Sequence, residues 1–386
     1  MPEEHRDNDK PITTKRPRKR IWLAVIVVVA MSVAVQLIRS SDSVHKELAA
    51  IEAARAIPDC ENAALAYYQI LDEYPLVLPK IFFPPGITGD PTHDVLSPMA
   101  GPTAYHAYVP MLQHASKMKE CRLSLNLDLK AILRRIAFRE EMAEWVRLLC
   151  EFAKRNEALG RFDAAFEEYL CMIRMAKHCY QQRTREGMFI AASPECGALG
   201  GFNRLIVNGN ATETQLTTID KVVSELQADW EQAWPHIRRV EELYAEYWRR
   251  QWTLQRCLSK IRINKQVYHK SLPFPNYPAL PKVYLRRLSW RRGTRILIAL
   301  RRYRDRNGHW PQSLKDLACF APADVFIDPI NGGEFIYRLE RDTFILYSKG
   351  KNGIDEHVGW DFSHPISDNP DDIPIWPALV WGSGLK

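Results

Sequence analysis

Residues 328–355, DPINGGEFIYRLERDTFILYSKGKNGID, decide the fold of the C-terminal part of the chain. Two short runs rich in aromatic and β-branched residues, Phe335–Tyr337 and Phe344–Tyr347, flank the polar segment Glu340–Asp342. This pattern is typical of a β-hairpin, and the Gly- and Asp-containing sequence after it is typical of a loop. The stretch from Asp328 to Trp376 therefore predicts a small antiparallel sheet.

A helix is predicted directly before this sheet, over roughly Gly293 to Asn307. Apolar side chains recur there at helical spacing, with arginines largely on the other side. Asn307-Gly308 is an expected helix end, and Trp310-Pro311 prevents the helix from continuing. Ser313–Leu317 then predicts one further turn, so the module combines helix and sheet.

The order of short motifs in this region resembles one known domain. The motifs are a helix, Asn307-Gly308-x-x-Pro311, Leu314 and Leu317, Asp328-Pro329, Gly332, Tyr337, Tyr347-Ser348-x-Gly350-x-Asn352-Gly353 and Asp372-Ile373-x-x-Trp376. Together they resemble the C-terminal domain of the major pseudopilin of type II secretion, fused behind a membrane-anchored helical region as in Planctomycetes-like envelope proteins. The resemblance covers Arg291–Trp376 and implies a small α+β module with a calcium-binding acidic loop.

Four carboxylates are the candidate calcium ligands. They are Asp355, Asp361, Asp371 and Asp372, with the hydroxyl of Ser348 nearby. Ca²⁺ takes six to eight oxygen ligands, which these side chains and backbone carbonyls of the loop could supply. The alternative is a solvated acidic loop closed by a Ser/Gly turn, and the sequence leaves both interpretations open.

An apolar segment near the start of the chain predicts a membrane anchor. Ile21–Ile38 has no charged residue and, as a helix, is about 27 Å long, close to the thickness of a bilayer core. The basic cluster Lys15–Arg20 precedes it, so residues 1–20 are expected to be a cytoplasmic tail and the bulk of the chain to lie in the periplasm or outside. A cleaved signal peptide is the competing interpretation. The segment contains no acid and follows no Gly-Phe dipeptide, so pseudopilin filament assembly is not expected.

Residues 43–285 are predicted to form a helical domain. The segments Glu61–Leu71 and Gly160–Tyr169 each resemble part of a tetratricopeptide repeat, but their separation does not match the 34-residue period, and an ordinary antiparallel helix pair is the other interpretation. Eight prolines between Tyr74 and Gln113 predict an extended excursion without long helices. This excursion is either a binding loop or packing over the helices.

Charge is distributed unevenly along the chain. The net charge is +7, whereas Arg238–Arg306 alone contains 19 Lys or Arg and four acids. A location outside the membrane makes nucleic acid an unlikely partner for this stretch, and lipid headgroups, acidic glycans or an acidic protein face are the alternatives. A solvated helix face would explain the pattern equally well.

No catalytic motif was found in the sequence. It lacks G-x-S-x-G, H-E-x-x-H and G-x-x-x-x-G-K-[ST], and its glycine-rich stretch Gly197–Gly201 has no phosphate-binding lysine. His309 and His357 are the least ordinary of the 11 histidines. The eight cysteines contain no C-x-x-C, and Cys150 and Cys171 are a candidate disulfide across a helix turn.

The sequence therefore predicts a mainly α protein with a single N-terminal transmembrane helix at 21–38, a weakly repeat-like helical domain at 43–285 and an α+β module at 291–386. With 46% apolar and 26% charged residues, the chain can fold into two or more units. The expected function is an extracytoplasmic scaffold that binds a protein partner through the helical domain, without catalytic residues. The alternatives are an exported enzyme with a site between the Pro-rich excursion and the helices, and a component of a type II secretion-like apparatus.

Overall fold

A computed structural model describes residues 42–73, 102–226, 230–258, 279–355 and 372–377. These residues form a mainly helical protein with a small antiparallel sheet near the C-terminus, which confirms the predicted fold class at that level. The helices are α1 (42–53), α2 (Ala63–Glu73), α3 (Pro102–Lys117), α4 (Leu129–Ala158), α5 (Phe162–Tyr180), α6 (Arg185–Val207), α7 (Glu213–Glu225), α8 (Trp230–Leu258) and α9 (Ala279–Asn307). The strands are β1 (Ile336–Glu340), β2 (Thr343–Ser348) and β3 (Ile373–Trp376).

Several predictions concern residues outside the described ranges. The apolar segment Ile21–Ile38, most of the Pro-rich excursion, Asp361, Asp371 and His357 all lie there. Among the helices within the described ranges, none combines the length and the apolar character needed to cross a bilayer.

The chain divides into two compact units. One comprises residues 1–51 and 242–274, and its described part consists of residues 42–51 of α1 and the second half of α8. Val44 and Leu48 of α1 and Leu243 of α8 are each almost completely buried. The ring of His45 meets the ring of Tyr247 at 5.4 Å between centroids, so the two helices pack against each other in this unit.

The second unit comprises residues 52–241 and 275–386 and contains the main hydrophobic core. Within this unit, α4 and α5 form a helix pair joined by a tight turn in which Gly160 has φ 71°. Such a left-handed residue commonly ends a helix, and Arg161 N donates to Asn156 O at 2.8 Å across the turn. This is the helix pair predicted around Gly160–Tyr169.

Two sequence-based boundaries are wrong. The last part of the Pro-rich excursion is helical, because α3 begins at Pro102, and proline is favoured at a first helical position. The C-terminal helix begins at Ala279 and not near Gly293. Gly293 lies inside α9, where a Cβ atom would approach Ile375 Cδ1 of β3 to 2.4 Å, so this glycine permits close packing of the sheet and does not begin the helix.

The predicted disulfide is also wrong, since Cys150 and Cys171 are both free thiols. Cys150 Sγ lies 3.6 Å from Met172 Sδ across the α4–α5 pair. Cys171 is the neighbour of Met172 and therefore points about 100° away around α5. Its Sγ instead contacts Met175 Sδ at 3.8 Å.

The hairpin has the predicted position. β1 pairs antiparallel with β2, with Glu340 opposite Thr343, so Arg341 and Asp342 form the two-residue connection. β2 also pairs with β3, which gives the sheet order β1-β2-β3. The sheet lies against α9 through Ile375, and Asn203 of α6 donates to the Ile375 carbonyl at 3.5 Å. The sheet and the helical core therefore belong to one hydrophobic cluster.

The glycine-rich stretch of α6 also permits close packing. A Cβ atom at Gly201 would come within 2.2 Å of the Tyr169 ring on α5, whereas at Gly200 its nearest neighbour would be 4.0 Å away. The Tyr169 ring has little freedom to move, because Arg204 Nη2 donates to its hydroxyl at 2.6 Å and that hydroxyl donates to Glu157. The glycine-rich stretch Gly197–Gly201 therefore serves as a packing contact between α6 and α5.

We expect Gly201→Ala to lower the free energy of unfolding by about 1–3 kcal/mol, because overpacking must displace either α5 or α6. Gly200→Ala is the matched control, and we expect it to raise stability by about 0.5–1 kcal/mol through its better helix propensity. Urea denaturation of the purified full-length variants, followed by tryptophan fluorescence, measures both. Equal effects of the two substitutions would contradict the close contact at Gly201.

Candidate functional site

Asp328 is completely buried, and four donors converge on its carboxylate. Oδ2 accepts hydrogen bonds from Ser348 Oγ at 2.5 Å and Asn331 Nδ2 at 2.8 Å. Oδ1 accepts from the backbone N–H of Ile330 at 3.0 Å and from Ser289 Oγ at 3.3 Å. Because Ser289 lies on α9 and Ser348 ends β2, this carboxylate joins the sheet to the helix. Such bonding offsets the cost of burying a charge.

Of the predicted calcium ligands, Asp355 and Asp372 lie within the described residues. Asp355 Oδ1 accepts a hydrogen bond from Tyr347 OH at 2.6 Å, and Oδ2 forms an ion pair with Arg338. Asp372 directly precedes β3 and is largely buried. Ser348, expected near the ion, instead donates its hydroxyl proton to Asp328.

Tyr347 brings the two carboxylates into one electrostatic environment. Burial raises the pKa of the Tyr347 hydroxyl, and its hydrogen bond to Asp355 and the negative charges of Asp355 and Asp372 raise this pKa further. The guanidinium of Arg338 opposes these effects and lies 5.8 Å from the Tyr347 ring centroid. Over the described part of the chain, three or more His, Cys, Asp or Glu side chains nowhere form a group suited to hold a metal.

Among the described residues, a completely buried charged pair links α9 to α6. Arg291 and Glu195 both have 0% side-chain exposure, and Arg291 Nε lies 2.7 Å from Glu195 Oε1. Arg291 Nη1 donates to the Leu226 carbonyl at 2.6 Å, and Tyr180 OH donates to Glu195 Oε2. Burial opposes the charge on Arg291, but the adjacent Glu195 carboxylate outweighs it and raises the arginine pKa.

Other arginines of the basic stretch also have partners inside the protein. Arg295 pairs with Asp220 at 2.6 Å and Arg302 pairs with Glu213 at 2.7 Å, and both acids belong to α7. Arg301 pairs with Asp305 on the same helix at 2.8 Å. Arg291, Arg295 and Arg302 of the stretch Arg238–Arg306 therefore hold α9 against α6 and α7. Lys282, Arg286, Arg304 and Arg306 of α9 are exposed, and binding of an anionic surface by this stretch stays a prediction.

One buried histidine also connects separate elements, because it bonds to Tyr67 of α2 and to Met118 after α3. His178 on α5 is 2% exposed; its Nδ1 lies 3.0 Å from Tyr67 OH and its Nε2 2.8 Å from the Met118 carbonyl. A carbonyl only accepts, so Nε2 carries the proton and Nδ1 accepts from tyrosine. Burial lowers the pKa of His178 to about 4.

Sequence patterns pointed to other histidines. His309 is exposed at the end of α9, where its ring contacts Tyr303 at 5.8 Å. His178, Glu195 and Arg291 carried no local motif, and only their positions on the apolar faces of helices could have indicated them.

Comparison of the chain with protein-family models, with curated proteins and with solved structures finds no match.

Proposed function

We propose that this protein is a membrane-anchored, extracytoplasmic scaffold that binds a protein partner through its helical domain and has no catalytic activity. The observation that carries the proposal is the way α9 joins the C-terminal sheet to the helices. Its buried Ser289 and Gly293 meet the sheet module, while Arg291 on the same turns meets α6. These buried polar groups hold the elements of the fold together, as expected of a rigid scaffold that presents its surface to a partner.

The N-terminal segment Ile21–Ile38 supports the anchor, with residues 1–20 in the cytoplasm and the bulk in the periplasm or outside. A reporter fused after Lys386 tests this topology. Activity of an export-dependent reporter is expected, and activity only of a cytoplasmic reporter would overturn it.

Exposed apolar side chains on the helices are suited to a partner. Leu65 on α2 is 44% exposed and Phe189 on α6 is 49% exposed, and Ile354 in the C-terminal module, at 62%, provides a matched control. We expect a photo-crosslinking amino acid at Leu65 or Phe189 of the full-length protein to capture a discrete partner in the native host. Adducts from Ile354 alone would contradict binding through the helical domain.

A second candidate is a component of a type II secretion-like apparatus. It is favoured by the succession of α9, the β1–β2 hairpin and β3, which is the order of elements that the pseudopilin-like motifs imply. Adducts from Ile354 to secretion-apparatus proteins would support this candidate over the scaffold.

The C-terminal module is also proposed to bind calcium through Asp355, Asp361, Asp371 and Asp372. Because the Arg338 guanidinium engages Asp355, calcium must compete with it for this carboxylate. We expect Arg338→Gln to strengthen calcium binding up to about fivefold, since a partly exposed ion pair is worth about 0–1 kcal/mol. Asp372→Ala should abolish binding, and Asp342→Ala, in the exposed hairpin turn, is the control.

Isothermal titration calorimetry of the full-length variants with CaCl₂ measures these effects. Calcium-dependent heat that is unchanged by Asp372→Ala would place the ion elsewhere. Absence of heat in the parent protein and in Arg338→Gln would contradict the site itself.

A further inference from the structure

The second half of α8 begins the longest stretch of the sequence without an acidic residue. Between Tyr247 and Arg304 the sequence has 16 Lys or Arg and no Asp or Glu. The α9 members of this set that lie deepest have acidic partners on α6 and α7, as Arg291, Arg295 and Arg302 illustrate. On α8, Arg249 is exposed and Arg250 pairs with Glu246 one turn earlier.

The same part of α8 is tied to the start of the described chain. The ring of Tyr247 contacts the ring of His45 on α1, and α1 is already helical at residue 42. Only three residues separate Ile38, the last residue of the apolar segment, from residue 42. Chain geometry therefore keeps His45 within about 20 Å of the end of that segment. Tyr247–Arg250, which we call the α8 patch, is consequently close to the membrane if the segment spans it.

The composition of the patch suits a membrane surface. Tyr and Trp are favoured at the bilayer interface, where an aromatic body meets the headgroups, and arginine extends its charged end toward phosphate. The negative potential of acidic lipids acts over about a Debye length, so basic residues must lie near the surface to respond to it. In the α8 patch, Trp248, Arg249 and Arg250 combine these residue types with that proximity, while the Tyr247 ring packs against α1 and sets the position of α8 relative to it.

We propose that the α8 patch rests on the membrane in which Ile21–Ile38 is anchored and binds acidic phospholipid headgroups through Arg249 and Arg250. This inference rests on the proposed membrane anchor. The interaction would fix α1 and α8 against the bilayer directly after the anchor, on the side where the bulk of the chain lies.

Hydrogen–deuterium exchange tests the proposal on the full-length protein in nanodiscs. One set contains phosphatidylcholine alone and the other contains phosphatidylcholine with phosphatidylglycerol. We expect amide exchange in peptides covering 242–258 to slow severalfold in the acidic nanodiscs, and exchange in α7 peptides to stay unchanged. Arg249→Gln/Arg250→Gln should remove the difference, because each basic residue near the surface contributes about fivefold to headgroup affinity.

The matched control is Arg286→Gln/Arg306→Gln, which removes the same charge from exposed positions of α9 and should leave the difference intact. Equal exchange of 242–258 in both nanodiscs by an inserted protein would overturn the lipid site while leaving the anchor standing. Equal protection in both, independent of the arginines, would indicate a protein contact and overturn it as well. Failure of the chain to insert into either nanodisc would reject the anchor and this proposal together.

Discussion

Glu195→Gln is expected to lower the free energy of unfolding by about 3–5 kcal/mol, the usual cost of removing one partner from a buried ion pair. The substitution preserves the size of the side chain but leaves the Arg291 guanidinium buried without its counter-charge. Arginine stays protonated at any accessible pH, so the charge cannot be relieved by losing a proton. Urea denaturation of the full-length protein at pH 7 measures the loss.

A surface pair on the same helix provides the control. Arg302 and Glu213 join α9 to α7 at the same 2.7 Å separation, but Glu213 is 65% exposed. Glu213→Gln should therefore change stability by about 0–1 kcal/mol. Equal losses of unfolding free energy in Glu195→Gln and Glu213→Gln would contradict a larger contribution of the buried pair to stability.

A double substitution separates the charge from the packing. Glu195→Leu/Arg291→Met replaces both ions with apolar side chains of similar volume, which in buried pairs is often neutral or stabilising. Tyr180 and the Leu226 carbonyl then lose a partner, so we expect partial recovery relative to either single change. Additive losses in the double variant would contradict an ion pair whose members depend on each other.

The sequence predicted the features that local chemistry determines. Asn307-Gly308 ends α9, where Gly308 has φ 80° and donates to the Arg304 carbonyl at 2.8 Å. The hairpin turn falls at Arg341, which adopts a left-handed φ of 48° although it is not a glycine. In both places a few consecutive residues determine the local backbone conformation.

Features that depend on distant residues were not predictable. Arg291 and Glu195 are 96 positions apart, and nothing local distinguishes Arg291 from the exposed Arg286. The predicted helix began near Gly293, yet the role of this glycine comes from its contact with Ile375, on a strand far along the chain. The same limit applies to the candidate ion site, where Arg338 is adjacent to Asp355 only after the hairpin has formed.

We expect the difference in free energy of unfolding between His178→Gln and the parent to change by about 3 kcal/mol between pH 7 and pH 4. The folded-state pKa of His178, about 4, lies below its ordinary value of 6.5 because burial disfavours the charged ring. The unfolded chain therefore binds a proton at a higher pH than the folded chain. The contribution of the neutral histidine is complete above pH 6.5 and is lost as the pH falls toward 4.

At pH 7 the variant should be less stable than the parent, because Tyr67 OH and the Met118 carbonyl lose a well-placed partner. At pH 4 that deficit should shrink by about 3 kcal/mol, the free energy that corresponds to 2.5 pKa units. Stability differences measured by urea denaturation at each pH test this directly. A deficit that is constant from pH 7 to pH 4 would show that His178 is not held neutral by burial.

The comparison between variant and parent is necessary because another buried group acts in the opposite direction. Burial raises the pKa of Glu168 to about 7, and Asn156 Nδ2 donates to its Oε1 at 3.0 Å. Its contribution is complete below pH 4.5 and is lost as the pH rises through 7, so between these values it offsets the effect of His178. Glu168→Gln should therefore be more stable than the parent above pH 7 and should equal it near pH 4. In the parent, the pH-dependent contributions of His178 and Glu168 to the free energy of unfolding partly cancel. Comparing each variant with the parent separates the two contributions, which change in opposite directions as the pH rises.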